Sequence, residues 1–217
     1  MVPIGRRREG KIKFDLGLGI WGVLFVFSSI GGVECQCERL CLALASYTVW
    51  EGSNLTFISQ LFNTNDQEIL KYNARVLSKD AIGVGDRLNV SFSCDCLEGG
   101  RLGHLFTYTL KPGDTYEKLG ETYYANLTTV ADLTRDNPRY SDPTRILDGS
   151  PVNVTVNCSC GDEKESDYRF FLTYPLLPRD NLGDLANQFN VSSNILRGHN
   201  PNTDFRSGKG LVFIPWK

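Results

Sequence analysis

The chain has 217 residues, 41% of them hydrophobic, with 23 Lys and Arg against 25 Asp and Glu, and seven cysteines. That length suits one or two ordinary domains, and a formal charge of −2 without a basic stripe argues against nucleic acid or an anionic membrane as partner. Five of the basic residues but only two of the acids fall in residues 1–32, so the remainder carries −5.

Residues 1–32 read as a secretory signal peptide. Arg6, Arg7, Arg8, Lys11 and Lys13 form a basic start, Leu16 to Ile30 an apolar stretch, and Ser29-Ile30-Gly31 the small residues that signal peptidase reads. A membrane anchor is the alternative, but a span needs roughly 20 apolar residues and this run is shorter and rich in glycine. No second apolar segment follows.

Cys35, Cys37 and Cys41 come next, and Cys94/Cys96 and Cys158/Cys160 stand further on. Seven cysteines in a secreted chain imply disulfides with one thiol left over. The two residues of a Cys-x-Cys on an extended strand sit too far apart to bond each other without distortion, so each should find a distant partner. Zinc is the rival reading, but the spacing lacks a nearby histidine and the compartment is oxidising.

Between the cysteines one pattern occurs three times. Placing Ser53, Asp114 and Asp180 in register brings together Leu55, Tyr116 and Leu182, then Ile58, Leu119 and Leu185, then Phe62, Tyr123 and Phe189. Steps of three and four residues predict a helix with one buried face, capped by Ser53, Asp114 or Asp180. In the middle copy Glu117 stands three residues after Asp114, the spacing of a capping box. A second short helix is predicted there at Thr129 to Asp136, ended by Asn137-Pro138. Ile69, Leu133 and Leu196 each precede an asparagine by four residues: Asn73, Asn137 and Asn200. Apolar strands open each copy (SYTV, FTYTL, FFLTY), and a glycine with a further strand closes it at Gly85, Gly149 and Gly208. The unit is thus strand, helix, helix, strand, an α+β class with internal repeats. Units this small need staples or mutual packing. Asp95 to Gly103 and Gly161 to Asp167 read as short polar linkers, too short for loosely strung beads.

Six Asn-x-Ser/Thr sequons, at Asn54, Asn89, Asn126, Asn153, Asn157 and Asn190, are candidate N-glycosylation sites. Catalysis is hard to place. His104 and His199 lack a neighbouring nucleophile motif and read as surface or capping residues, and Asp114 with Glu117 reads as a helix start before it reads as a glycosidase pair.

The passages CERLCLALASY at Cys37, GDTYEKLGETYYANLTT at Gly113, and VNCSCGDE at Val156 followed by FLTYPL at Phe171 carry a family resemblance. From Cys37 to Lys217 the chain resembles the ectodomain of plant LysM receptor-like kinases, in the chitin elicitor receptor kinase and Nod factor receptor group. The resemblance implies three tandem LysM (βααβ) domains at 42–94, 104–158 and 168–217, clamped by the disulfides Cys37–Cys96, Cys41–Cys160 and Cys94–Cys158, with Cys35 as the odd thiol. It implies the extracellular face of the plasma membrane or secretion, no cofactor, no metal and no catalytic site in this region. A full-length member carries an intracellular kinase. A cell-wall hydrolase using LysM units for targeting would need a catalytic domain, for which no residues are left.

The partners so implied are a chitin-type N-acetylglucosamine oligosaccharide and another LysM receptor, the same or different. A lipochitooligosaccharide, a bacterial exopolysaccharide, or the role of a weakly binding co-receptor or decoy are the alternatives. Carried over by position, the ligand site lies in the middle repeat at Lys111, Pro112, Gly113, Asp114, Glu117, Val130, Ser141, Asp142 and Ile146. Pro112-Gly113 replaces more polar residues of chitin binders, and the loop RYSDPTRILDGS brings Arg139, Tyr140 and Arg145. One reading is a groove drifted to another glycan; the other is ordinary solvated loop. In the first repeat, Glu51, Gly52, Ser53 and Arg75 to Ile82 correspond to loops that influence ligand choice in the Nod factor branch. Trp50 beside them reads as a packing residue first and a sugar platform second.

Overall fold

Val152, Val154 and Val156 are fully buried on one face of β4 (Pro151–Asn157) at the two-residue period of a strand, while on the other face Thr155 is buried between the half-buried Asn153 and Asn157. The computed structural model describes residues 37, 40–140, 147–161, 168 and 170–216. The expected signal peptide, Cys35, and Ser141, Asp142 and Ile146 of the expected site lie outside the described residues.

Five further strands are β1 (Cys41–Thr48), β2 (Arg87–Leu97), β3 (Arg101–Thr109), β5 (Phe170–Pro175) and β6 (Leu211–Trp216). Each repeat pairs its own two strands antiparallel: β1 with β2, β3 with β4, β5 with β6. Those ribbons are also joined to one another. An antiparallel β2–β3 pair (Asp95 opposite Gly103) and a parallel β1–β5 pair (Leu44 opposite Leu172) give one sheet in the order β4-β3-β2-β1-β5-β6. Asp95 to Gly103, expected as a linker, is therefore a hairpin turning at Gly99 and Gly100, and its backbone groups belong to the sheet.

The helices are α1 (Leu55–Leu61), α2 (Asp66–Lys71), α3 (Val130–Asp136), α4 (Leu182–Gln188) and α5 (Ser193–His199). They drive Ile58 and Leu185, and after them Ile69, Leu133 and Leu196, into the core, and Leu119 is buried at the matching position of the middle repeat. Each first helix is capped one residue later than expected. Asn54, Thr115 and Asn181 accept the amide three residues on, from Phe57 at 2.8 Å, Lys118 at 3.1 Å and Asp184 at 3.0 Å. Each cap follows a second residue, Ser53, Asp114 or Asp180, that is equally suited to capping. Glu117 accordingly stands two residues after the cap, out of the position that reaches back, and is exposed.

In the middle repeat the first helix becomes a π-helical turn, Lys118–Tyr123, in which Tyr124 N donates to Leu119 O at 2.9 Å. Fourteen residues separate the caps Thr115 and Thr129, against eleven from Asn54 to Asn65 and from Asn181 to Ser192. The wider turn absorbs the surplus. It also points Tyr124 into the first repeat, where its hydroxyl donates to Leu61 O at 3.0 Å.

Asn137 explains the third repeated position. Its Nδ2 donates to Leu133 O at 2.7 Å and Asn153 O at 2.8 Å, while Oδ1 accepts from Asn153 N at 2.7 Å. Asn73 makes the same three bonds with Ile69 and Asn89, and Asn200 makes them with Leu196 and Phe213. A side chain thus replaces a neighbouring strand along an open edge. Asn137→Ala would leave three such groups unpaired in a buried setting, so it should cost about 2–4 kcal/mol in denaturant unfolding. A loss near zero would refute this role.

The first two repeats share one core, and the third has its own, closed by Leu44 from β1. Trp50 lies in the seam between the first two: its Nε1 donates to Tyr47 Oη at 2.9 Å, Tyr47 donates to Tyr123 O at 2.9 Å, and the indole packs on Tyr123 at 5.5 Å. Disulfides join Cys37 to Cys96, Cys41 to Cys160 and Cys94 to Cys158, with Cα separations of 5.7, 5.6 and 5.9 Å. All six cysteines precede β5. What docks the third repeat is the β1–β5 pair, a hydrogen bond from Thr173 Oγ1 to Asn157 O at 2.8 Å, and Arg87. The Arg87 guanidinium lies 3.9 Å from the Tyr174 ring centre and donates to Pro175 O at 3.1 Å.

Candidate functional site

Lys111 to Asp114 form a four-residue turn in which Asp114 N donates to Lys111 O at 3.0 Å. Pro112 fits its second position, and the third needs a left-handed residue, which Gly113 supplies at φ +80°. Leu110, just before it, exchanges hydrogen bonds with Gly149 N at 2.8 Å and Ser150 O at 3.0 Å. The turn before the first helix and the loop that closes the repeat therefore leave the sheet side by side.

Beneath the turn sits the Asp114 carboxylate, its side chain only 1% exposed. Oδ2 accepts from Lys111 N and from Tyr108 Oη, both at 2.8 Å; Oδ1 accepts from Tyr123 Oη at 2.9 Å and from Lys118 Nζ at 3.3 Å. Burial alone would raise its pKa, but these four donors together outweigh that and hold it below the usual carboxylate range. Burial, reinforced by the bond to Asp114, pushes Tyr108 far upward, so the hydroxyl stays a donor at every physiological pH. The other repeats place a tyrosine and a polar residue at the same six-residue spacing, Tyr47 with Ser53 and Tyr174 with Asp180. Asp180 Oδ2 likewise accepts from Leu177 N at 2.7 Å, and burial pushes Tyr174 up to about 12.

Of the expected site residues, Lys111, Pro112, Gly113 and Glu117 are exposed and Val130 is half-buried at the start of α3. Asp114 is present but turned inward, so it shapes the turn and does not offer its carboxylate to a ligand. Lys111 Nζ stands 5.8 Å from the Phe57 ring centre, which brings the turn against the first repeat. Two features escaped the sequence reading. Tyr108 was legible in principle, because the tyrosine at minus six recurs three times. Leu147, 78% exposed in the closing loop, was not, since a lone leucine there reads like a core residue.

His104 has the neighbours of a hydrolytic triad without its geometry. Ser93 Oγ, at 2.9 Å, and Asp95 Oδ2 both contact Nδ1, whereas a triad uses opposite ring nitrogens for the nucleophile and the acid. The sulfurs of Cys41, Cys94 and Cys160 cluster, but each is bonded in a disulfide and offers no thiolate to a metal.

LysM domain models match residues 47–91 and 108–154, and a second LysM domain model matches residues 172–215. The chain is 42% identical over 215 residues to chitin elicitor receptor kinase 1 of Arabidopsis thaliana, a match covering 94% of this chain and 34% of that protein. It is 39% identical to LysM domain receptor-like kinase 3 of Medicago truncatula, over 89% of this chain and 32% of that protein. Among solved structures, the ectodomain of a receptor-like kinase superposes with a TM-score of 0.78 at 41% identity, covering 84% of this chain and 94% of the other. The LYK3 ectodomain superposes at 0.75 with 38% identity, covering 84% and 93%. Repeats, disulfides and superpositions together define a LysM-repeat protein of α+β class. The chain belongs to the LysM family, in the form found as ectodomains of receptor-like kinases. It spans about a third of the length of the curated receptor kinases it matches.

Proposed function

We propose that this region is the extracellular, glycan-perceiving part of a LysM receptor kinase, with LysM units at 42–94, 104–158 and 168–217. The second unit holds a chitin-type oligosaccharide between the turn Lys111–Asp114 and the closing loop, in immunity or symbiosis signalling. The supporting observation is the locked turn: its backbone is fixed from below by Asp114 while Lys111, Pro112 and Gly113 stay open to solvent. With the Lys111 and Asp114 amides bonded within the turn and no N–H on Pro112, the Gly113 N–H and the Pro112 and Gly113 carbonyls are the pre-set backbone groups that suit an acetamide, whose methyl contributes on the order of 0.8 kcal/mol when buried. One sugar therefore binds weakly. Affinity and signalling come from longer ligands that engage further contacts or bring a second LysM receptor alongside. Sugar perception, not catalysis, is this region's part, and a kinase elsewhere in the protein transmits it.

Titration calorimetry with chitin oligomers of increasing length tests the reading: affinity should rise with length, and silence at every length would sink it. Pro112→Gln, which restores an amide donor and leaves Gly113 at its positive φ, should raise affinity several-fold. Leu147 favours a second reading, an acylated chitin oligomer, because an exposed leucine beside the groove can cover a fatty chain. In that case the acylated oligomer binds more tightly than the plain one, and Leu147→Ser removes the difference.

A further inference from the structure

The second LysM unit carries another concavity, whose lining does not include Lys111 to Asp114. On the β3–β4 face opposite the buried valines, a cleft of about 980 Å³ opens between the β2–β3 hairpin and the end of α3, at the large end of the range of ligand clefts, roughly 300–1,000 Å³. Leu97, Leu105 and Tyr140 give it apolar walls, with Leu105 44% exposed on the strand face that lines it. Arg101 lines it with one guanidinium nitrogen on Asp136 at 3.3 Å, beside Arg135. Asn153 and Thr155 line it too, and they are the first and third residues of a sequon.

Asn153 is half-buried, and its Nδ2 donates to Asp136 O at 3.2 Å. A carboxamide nitrogen has two hydrogens, so substitution of one leaves that bond intact. Thr155 is fully buried, which requires that the sequon be read before β4 pairs, while the chain is still extended.

We propose that this cleft is the berth of the chain's own glycan on Asn153. In the secretory pathway, Asn153 Nδ2 bonds to the anomeric carbon of an N-acetylglucosamine delivered on a polyprenyl pyrophosphate; the pyrophosphate leaves with the old bonding pair and the displaced amide proton passes to base. On folding, the β-linked N-acetylglucosamine pair at the root of that glycan lies along the cleft. Its apolar ring face covers Tyr140 and Leu105, and its hydroxyl and acetamide oxygens meet the arginines. This inference rests on the extracellular reading and is independent of what the Lys111–Asp114 turn binds.

The test is glycopeptide mass spectrometry on the protein secreted by a eukaryotic host, before and after digestion with peptide N-glycosidase. Asn126 and Asn190 provide the comparison, being exposed on left-handed turns at φ +64° and +52°. Asn153 should carry a glycan that the native protein retains at least tenfold longer than those two sites, or than Asn153 itself after denaturation. Tyr140→Ala, with its wall removed, should lose most of that protection. An unmodified Asn153, a glycan stripped from the native protein as fast as from the denatured one, or protection unchanged in Tyr140→Ala each overturns the proposal.

Discussion

Replacing Cys94 and Cys158 together with alanine is expected to lower unfolding stability by about 3 kcal/mol, less than the 64-residue separation of the pair suggests. Taken alone, a loop of that length corresponds to about 4 kcal/mol of denatured-state entropy. With the other two bridges intact, however, the unfolded chain is already short-circuited: Cys94 reaches Cys158 through Cys96, Cys37, Cys41 and Cys160. The loop that the last bridge closes is then only about ten residues, which corresponds to about 2.7 kcal/mol, and the small gap left by two buried sulfurs adds to that. Guanidinium unfolding of the double variant checks the value. A drop of about 4 kcal/mol or more would show that the bridges act independently, and a drop below about 1 kcal/mol would show that the sheet holds these strands without help.

Asp114→Ala is the second change with a large effect. It leaves the Lys111 amide and the hydroxyls of Tyr108 and Tyr123 without their acceptor, two of them in nearly closed surroundings, and should cost about 3–5 kcal/mol. Asp114→Asn keeps one oxygen and should cost less, while still abolishing the pH response of the site. That response has a definite sign. The folded pKa lies below the ordinary aspartate value of the unfolded chain, so the contribution is fully present above that value. It is lost as the pH falls from the unfolded value through the depressed folded one, where protonation removes acceptor capacity. Wild-type stability measured from pH 6 to pH 2 should fall more steeply than that of Asp114→Asn. Parallel curves would falsify the assignment of this carboxylate as the lock.

Much of this architecture was written in the side-chain periodicity. Ile58, Leu119 and Leu185 are in register in the sequence alone, and they are in the core because three- and four-residue steps leave a helical turn no other face to bury. The asparagines at 73, 137 and 200 were visible as repeats, but their function was not, since an edge-pairing side chain is defined by a strand sixteen or thirteen residues away. Caps were displaced by one because Ser53-Asn54, Asp114-Thr115 and Asp180-Asn181 each offer two competent residues, and only the closed turn decides between them. Sheet continuity was illegible for a different reason: the β1–β5 register is a non-local pairing with no local signature, and Asp95 to Gly103 is polar enough to pass for a tether. At the candidate site, position identified the turn, whereas the inward rotation of Asp114 follows from hydroxyls brought in by two other segments.

The absence of cysteine from the described part of the third repeat has a mechanical corollary. A tensile load entering through β6 would meet first its antiparallel pairing with β5, then the parallel register at Leu44 and Leu172 and the stacked Arg87, all of which can unzip, and only then reach bonds that cannot break without a reductant. Among the described residues the third repeat is thus the yielding part and the first two are the covalently held part, so strain applied at β6 would be dissipated before it reached the Lys111–Asp114 turn.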